Sequence, residues 1–182
     1  MKVTGKKAAA AIGIIFYVAA FLFVAYLLEY GPVKILRYGI LAITLFYLAS
    51  LDIKSRIVPN RVLLVLTAVR ILCFLPEAVL YPGYLGGFIK ASLLGAVAAM
   101  LILLAGNFIC KQGMGFGDIK LFGVIGFYTG PQTVLGVLFF SLIFAAVYSI
   151  VFMLMKKIGA KDEIPFVPFA AVGFAVASLL GV

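Results

Sequence analysis

Apolar residues in this chain run in long unbroken blocks, separated by short clusters of charge, proline and glycine. A water-facing helix would show polar residues on one side of a 3.6-residue period, and these blocks do not. About 20 apolar residues suffice for a helix to cross a ~30 Å hydrocarbon core. The blocks run from about Ala8 to Leu28, Ile35 to Leu51, Val62 to Leu75 and Tyr84 to Ala105. A fifth follows Asp118 to about Gly130, a sixth spans Thr133 to Met155, and the seventh runs from Ile164 to the C-terminus. The pattern predicts an all-α polytopic transmembrane bundle of about seven helices. It divides into an N-terminal helix (1–33) and a six-helix domain (34–182). The first block follows Lys2, Lys6 and Lys7 as a signal peptide would, but it is too long and lacks a small-x-small cleavage site, so it reads as a retained helix. The fifth is too short to cross unaided, since about 13 residues give only about 20 Å.

Composition strengthens this picture. Hydrophobic residues make up 66% of the chain and charged ones 12%, against about half and a quarter in soluble domains. Histidine is absent, which excludes an ordinary zinc site and a Ser-His triad. Cys73 and Cys110 have no CxxC spacing and read as free thiols in or beside membrane helices. The net charge of +9 comes from small clusters between blocks, a membrane-orientation pattern rather than a nucleic-acid surface. With the N-terminus inside, eleven Lys and Arg residues fall on the cytoplasmic side and four (Lys34, Arg37, Arg70, Lys90) on the outer side. That bias predicts a multi-pass protein of the inner or plasma membrane with a cytoplasmic N-terminus.

Against this background the acidic residues stand out. Glu29 and Glu77 read as interfacial charge at outer helix ends, and Asp162 and Glu163 as a cytoplasmic turn. Asp52 and Asp118 each abut an apolar block on the cytoplasmic side, where a carboxylate is costly and is usually paired or functional. A salt bridge to a nearby Lys or Arg would explain either alone; two at one depth favour a functional pair. Asp52 opens Asp-Ile-Lys-Ser-Arg-Ile-Val-Pro-Asn, in which Pro59 disfavours helix before it and Asn60 suits an N-cap. Asp118 follows Gly113-Met114-Gly115-Phe116-Gly117, a run that lets other segments approach closely. No Lys-Ser/Thr follows in the spacing of a phosphate-binding loop. Two adjacent carboxyl groups share one proton, so one can activate water while the other protonates an amide carbonyl. The helix dipole favours the anion at Asp118, which opens a helix, and disfavours it at Asp52, which closes one. On that argument Asp118 is the resting base and Asp52 the resting acid.

Gly115-Phe116-Gly117-Asp118, with Ile119-Lys120-Leu121-Phe122-Gly123 after it, resembles the Gly-x-Gly-Asp motif of the type IV prepilin peptidases. Asp52 to Asn60 is similar to that family's first-aspartate motif, and Ile164-Pro165-Phe166-Val167-Pro168-Phe169 to its Pro-Phe-x-Pro-Phe stretch. The resemblance covers roughly Leu36 to the end. Leu51, rather than Tyr, precedes Asp52, and no Pro-Ala-Leu occurs, so presenilin-type proteases match less well. The resemblance implies a membrane aspartic endopeptidase that removes the short basic leader of prepilins or pseudopilins at the cytoplasmic face. Asp52 and Asp118 are then the catalytic pair. Only a few residues separate Leu28 from Ile35, too few for the CxxC-bearing cytoplasmic domain of larger members. The expectation is a compact form that cleaves without zinc or another cofactor and does not methylate. Its partners would be the prepilin and the lipid bilayer, with no nucleic acid.

Around the aspartates, Gly115, Gly117, Lys54, Lys120, Pro59 and Asn60 are expected to support the site. Pro165 and Pro168 are candidate substrate contacts, although prolines at helix starts need no such role. Arg70 reads as snorkelling to the outer headgroups, and Gly86, Gly87, Ala91 and Gly95 as small residues between packed helices. The plentiful Phe and Tyr read as mostly lipid-facing or interfacial. A transporter or channel using the two aspartates as a cation site is the rival class.

Overall fold

The computed structural model describes residues 17–109, 115–156, 159 and 164–181. Among these residues there are seven helices and no strand. They are α1 (Tyr17–Leu27), α2 (Pro32–Ser55), α3 (Asn60–Leu80), α4 (Leu85–Ile109), α5 (Phe116–Thr129), α6 (Pro131–Leu154) and α7 (Val167–Leu180). Helices α2, α3, α4 and α6 are long and apolar enough to cross a membrane.

Local chemistry sets most boundaries. Pro32 and Pro131 open α2 and α6, where a missing N–H costs nothing. Gly130, at φ 86°, makes the one-residue turn from α5 into α6. Helix α3 runs past the expected end at Leu75, through Pro76 to Leu80. Proline is tolerated in a membrane helix whose freed carbonyls find other partners. Asn60 does not cap α3 as expected. Pro59 holds the cap position, Asn60 is already helical, and no side chain makes a cap bond.

The helices surround α5. Its Ile119, Leu121, Phe122, Val124, Ile125 and Tyr128 are all buried, so every face of this helix meets protein, as expected of one that is apolar all round. Helices α2, α3, α4 and α6 all touch it. It crosses α4 backbone to backbone. A Cβ on Gly95 would overlap the Gly126 carbonyl oxygen and stand 2.7 Å from the Gly130 carbonyl carbon. Gly173 of α7 meets α6 in the same way, against the Val137 carbonyl and Ser141. Gly86 and Gly87, in contrast, face no neighbour within 4 Å, so their expected packing role is not found. The outward faces of α4 and α6 present Leu93, Leu94, Leu101, Phe139, Leu142 and Ile150 to the surroundings. Tyr38, Phe122, Tyr128 and Phe174 are fully buried rather than lipid-facing.

Two further expectations are overturned along the second half of α3. Arg70 is completely buried, not snorkelled. Its Nη1 pairs with Glu77 at 3.1 Å, Nη2 donates to Ser92 at 3.0 Å, and Nε donates to the Phe127 carbonyl at 3.2 Å. Glu77, expected at the interface, is 3% exposed and also accepts from Arg37 at 3.0 Å. With acceptors on three helices converging on it, the guanidinium satisfies its donors inside the bundle and gains nothing by reaching outward. Cys73 is a buried free thiol; Cys110 lies outside the described residues.

The two kinds of glycine predict opposite outcomes. Gly95→Val must push α4 and α5 backbones apart and is expected to cost more than the ~1–3 kcal/mol of ordinary overpacking. Gly86→Val, with open space around it, is expected to leave the detergent melting temperature unchanged or higher. Thermal unfolding of both variants in one detergent checks this.

Candidate active site

The end of α2 and the starts of α3, α5 and α7 meet at the opposite end of the bundle from Arg37 and Glu77. Asp52 lies in the last turn of α2 and is 5% exposed. Asp118 is the third residue of α5 and half-buried. Both line one pocket of about 280 Å³. Its remaining walls are Arg56, Ile57 and Val58 from the connection between α2 and α3, Asn60, Gly115, Gly117 and Lys120. Asp52 and Asp118, 66 positions apart in the chain, are therefore brought to one cavity.

Each carboxylate is placed by its own local device. Arg56 adopts a left-handed conformation (φ 52°), and its N–H donates to the Asp52 carbonyl at 2.9 Å, which stops α2 one turn after Asp52. Pro59, extended at φ −68° and ψ 120°, then starts α3. The connection lies against the first turn of α5 at Gly117, where a Cβ would stand 3.3 Å from Val58 Cβ. Gly115 has no such tight neighbour. The nearest atom to its Cβ position is Asp118 Oδ2, at 3.6 Å.

Asp52 has a partner that the sequence did not announce. Its Oδ2 accepts the backbone N–H of Val167 at 3.0 Å, in a buried contact. Val167 opens α7, so its N–H has no intrahelical acceptor. Pro168 has no N–H to compete, and Phe169 and Ala170 already donate to the Phe166 carbonyl at 3.0 and 3.1 Å. The Phe166 ring lies 5.6 Å from that of Phe122 on α5. The Pro165–Phe169 stretch thus touches the helices of both aspartates. Pro165 and Pro168 are half-buried and are not among the pocket-lining residues.

Of the other expected residues, Lys120 and Asn60 line the pocket, and Lys120 Nζ donates to Asn60 Oδ1 at 3.4 Å. Pro59 lies beside it, and Lys54 is exposed in the last turn of α2, where a cation complements the helix dipole. Arg56, Ile57, Val58 and the Val167 N–H were not singled out from sequence. Only the proline that follows Val167, leaving its N–H as the free donor of that turn, could have signalled one of them.

Asp118 lies outside the four spanning helices, at the pocket. Its carboxyl is pushed up to about 6, first by burial and second by the negative charge of Asp52. Among the described residues no group of three or more His, Cys, Asp or Glu side chains could hold a metal ion. An aspartate pair of this kind can move protons to and from water and a bound carbonyl without one.

Fold and site define a multi-pass helical membrane protein with a paired-aspartate pocket at one end of its bundle. The chain belongs to the type IV leader peptidase family, which its residues 39–150 match. It is 34% identical over 165 residues to the prepilin leader peptidase/N-methyltransferase of Bacillus subtilis, covering 90% of this chain and 64% of that protein. Proteins of the same description from Stutzerimonas stutzeri and Aeromonas salmonicida are 28% and 32% identical. These matches cover 83% and 53% of this chain, and 50% and 36% of the relatives. The chain therefore spans roughly a third to two thirds of the curated relatives it matches. No solved structure gives a significant match.

The glycines of the motif should differ. Gly117→Ala is expected to press the 56–59 connection away from α5, costing about 1 kcal/mol or more and lowering activity. Gly115→Ala, at an ordinary van der Waals distance from its neighbour, is expected to retain more. Melting temperature and turnover of the two variants, measured side by side, check the order.

Proposed function

We propose that this protein is a membrane-embedded aspartic endopeptidase that removes the basic leader of prepilins or prepilin-like proteins at the cytoplasmic membrane face. The observation that carries the reading is the meeting of Asp52 and Asp118 in one pocket, within a chain of the leader peptidase family. The eleven-to-four Lys and Arg bias supports a cytoplasmic position for the pocket.

In the proposed reaction Asp52 is the base and Asp118 the acid. The helix-dipole argument from sequence gave the reverse order, but it left out burial and the neighbouring charge, both of which raise Asp118 and favour it as the acid. Asp52 Oδ2 accepts the Val167 N–H, so a proton taken up by this carboxyl belongs on Oδ1. Oδ1 is left to take one from water as that water attacks the scissile carbonyl carbon. The Asp118 proton passes to the carbonyl oxygen, giving a neutral tetrahedral intermediate. Its collapse returns a proton to Asp118 and delivers the one on Asp52 to the leaving amine, which regenerates the resting pair. Lys54, Lys120, Asn60, Pro59, Gly115 and Gly117 shape and charge the surroundings. Pro165 and Pro168 act through the backbone they impose around Val167.

The test is mass spectrometry of prepilins incubated with the protein in lipid. Cleavage at one site after the basic leader, abolished by Asp52→Asn and by Asp118→Asn, is the expected result. Aspartate-dependent cation flux in proteoliposomes without cleavage would overturn the reading.

The raised Asp118 also predicts a stability signature. A carboxyl that titrates higher folded than unfolded favours folding while protonated, and that advantage is lost as pH rises through about 6. Asp118→Asn should therefore raise the melting temperature at pH 8, by an equivalent of about 1–2 kcal/mol after screening by the open pocket, with little gain at pH 4. The same ionisation predicts that kcat/KM declines above about pH 6.

A further inference from the structure

Helix α5 is 14 residues long, about 21 Å, and its end lies beside Gly95. Gly95 is ten residues inside the Leu85 end of α4, about 15 Å deep along that helix. The turn from α5 to α6 is therefore sunk in the bundle. A helix that stops there leaves carbonyl groups without intrahelical donors, far from bulk water. Arg70 Nε supplies a donor to one of them, Phe127 O, and its cation faces the negative end of the α5 dipole. Tyr128 ties the same end to α3 by donating to the Leu66 carbonyl at 2.8 Å.

Arg70 is not held alone. Glu77 receives it on one oxygen and Arg37 of α2 on the other. An unbroken chain of polar contacts thus runs from α2 through α3 to the sunken end of α5. Helices α2 and α5 carry the two aspartates at their other ends. Near the pocket, the described polar contact between α3 and α5 is the exposed Lys120–Asn60 bond at 3.4 Å, which is long and worth little. One buried and one partly buried arginine against a single glutamate leave the cluster at a formal charge of +1, and Arg37 Nε, an atom that is itself buried, has no partner among the described residues. Loss of the Glu77 charge would leave two cations facing each other across α2 and α3.

We infer that the Arg37–Glu77–Arg70 chain is a positioning device, which sets the spacing of Asp52 and Asp118 from the opposite end of the bundle. Lysine could not replace Arg70 in it, because one ammonium cannot serve Glu77, Ser92 and the Phe127 carbonyl in that fixed geometry. The catalytic part of this inference rests on the peptidase reading; the geometric part does not.

The experiment measures the separation of nitroxide labels at Ser55 and Phe116, the exposed pocket ends of α2 and α5, by pulsed electron resonance. It uses the full chain in lipid, with Cys73 and Cys110 replaced by alanine. Glu77→Gln is expected to displace and broaden the distance distribution. In the unlabelled protein it should lower kcat by roughly tenfold to a hundredfold with KM little changed. The fall of activity above about pH 6 should move to lower pH as Asp52 recedes from Asp118. Glu77→Gln combined with Arg37→Gln returns the cluster to +1 and should recover most of the distance and the rate. Arg70→Lys keeps the charge but loses the hold on Phe127, and is expected to shift the distance in a folded protein. It alone decides if Glu77→Gln does not fold. Unchanged distances in folded Glu77→Gln and Arg70→Lys overturn the inference, as do shifted distances with an unchanged kcat and pH profile. A wild type that cleaves nothing overturns the peptidase reading instead, because the label distances need no substrate.

Discussion

The constraint on which the rest of this structure depends is that α5 is too short to cross a bilayer and is enclosed by other helices from Leu121 onward. Its first turn opens to a pocket at the exposed end, whereas its last turn, sunk among other helices, must find donors within the protein. At one end the solution is a pocket, where Asp118 sits in the first turn beside Asp52. At the other it is a guanidinium that completes the Phe127 carbonyl. The surrounding helices are arranged so that both solutions hold. Helix α4 approaches to backbone contact at Gly95 and Gly126, and α3 is tied to the far end of α5 through Arg70 and Tyr128.

The same constraint gives the site its chemistry. Asp118 is raised because the pocket is partly closed by protein and because Asp52 is near. Asp52 is buried yet not left unsatisfied, since the free N–H at the start of α7 reaches its Oδ2. Two carboxyl groups of the same kind thus meet different surroundings, and such asymmetry lets a pair divide acid and base work. The Pro-Phe-x-Pro-Phe stretch acquires a physical meaning here that needs no substrate. Its prolines and turn leave one N–H for Asp52 and bring Phe166 to Phe122.

Much of this was legible in the chain. The long apolar blocks announced helices in a membrane, and the described helices fall on all seven, with several ends extended by a few residues, as at Ser55, Leu80 and Ile109. The scarcity of acidic residues made Asp52 and Asp118 conspicuous, and the glycines before Asp118 pointed to a close approach, which occurs at Gly117. Charge read in one dimension misled elsewhere. Arg70 and Glu77, seven positions apart on α3, looked like separate interfacial charges. Their partners Arg37, Ser92 and Phe127 lie on three other helices, so no local window contains the network.

What the sequence by itself determined is the apolar surroundings, the helical blocks and the two aspartates that stand out among them, because hydrophobic run length and the cost of a carboxylate at membrane depth act residue by residue. What only the tertiary structure decided is which groups those residues meet. The raised carboxyl of Asp118, the N–H given by Val167 and the inward turn of Arg70 each depend on burial and on contacts between distant segments. Desolvation and hydrogen-bond partnership are properties of a packed arrangement, and the chain order carries them only through the fold it produces.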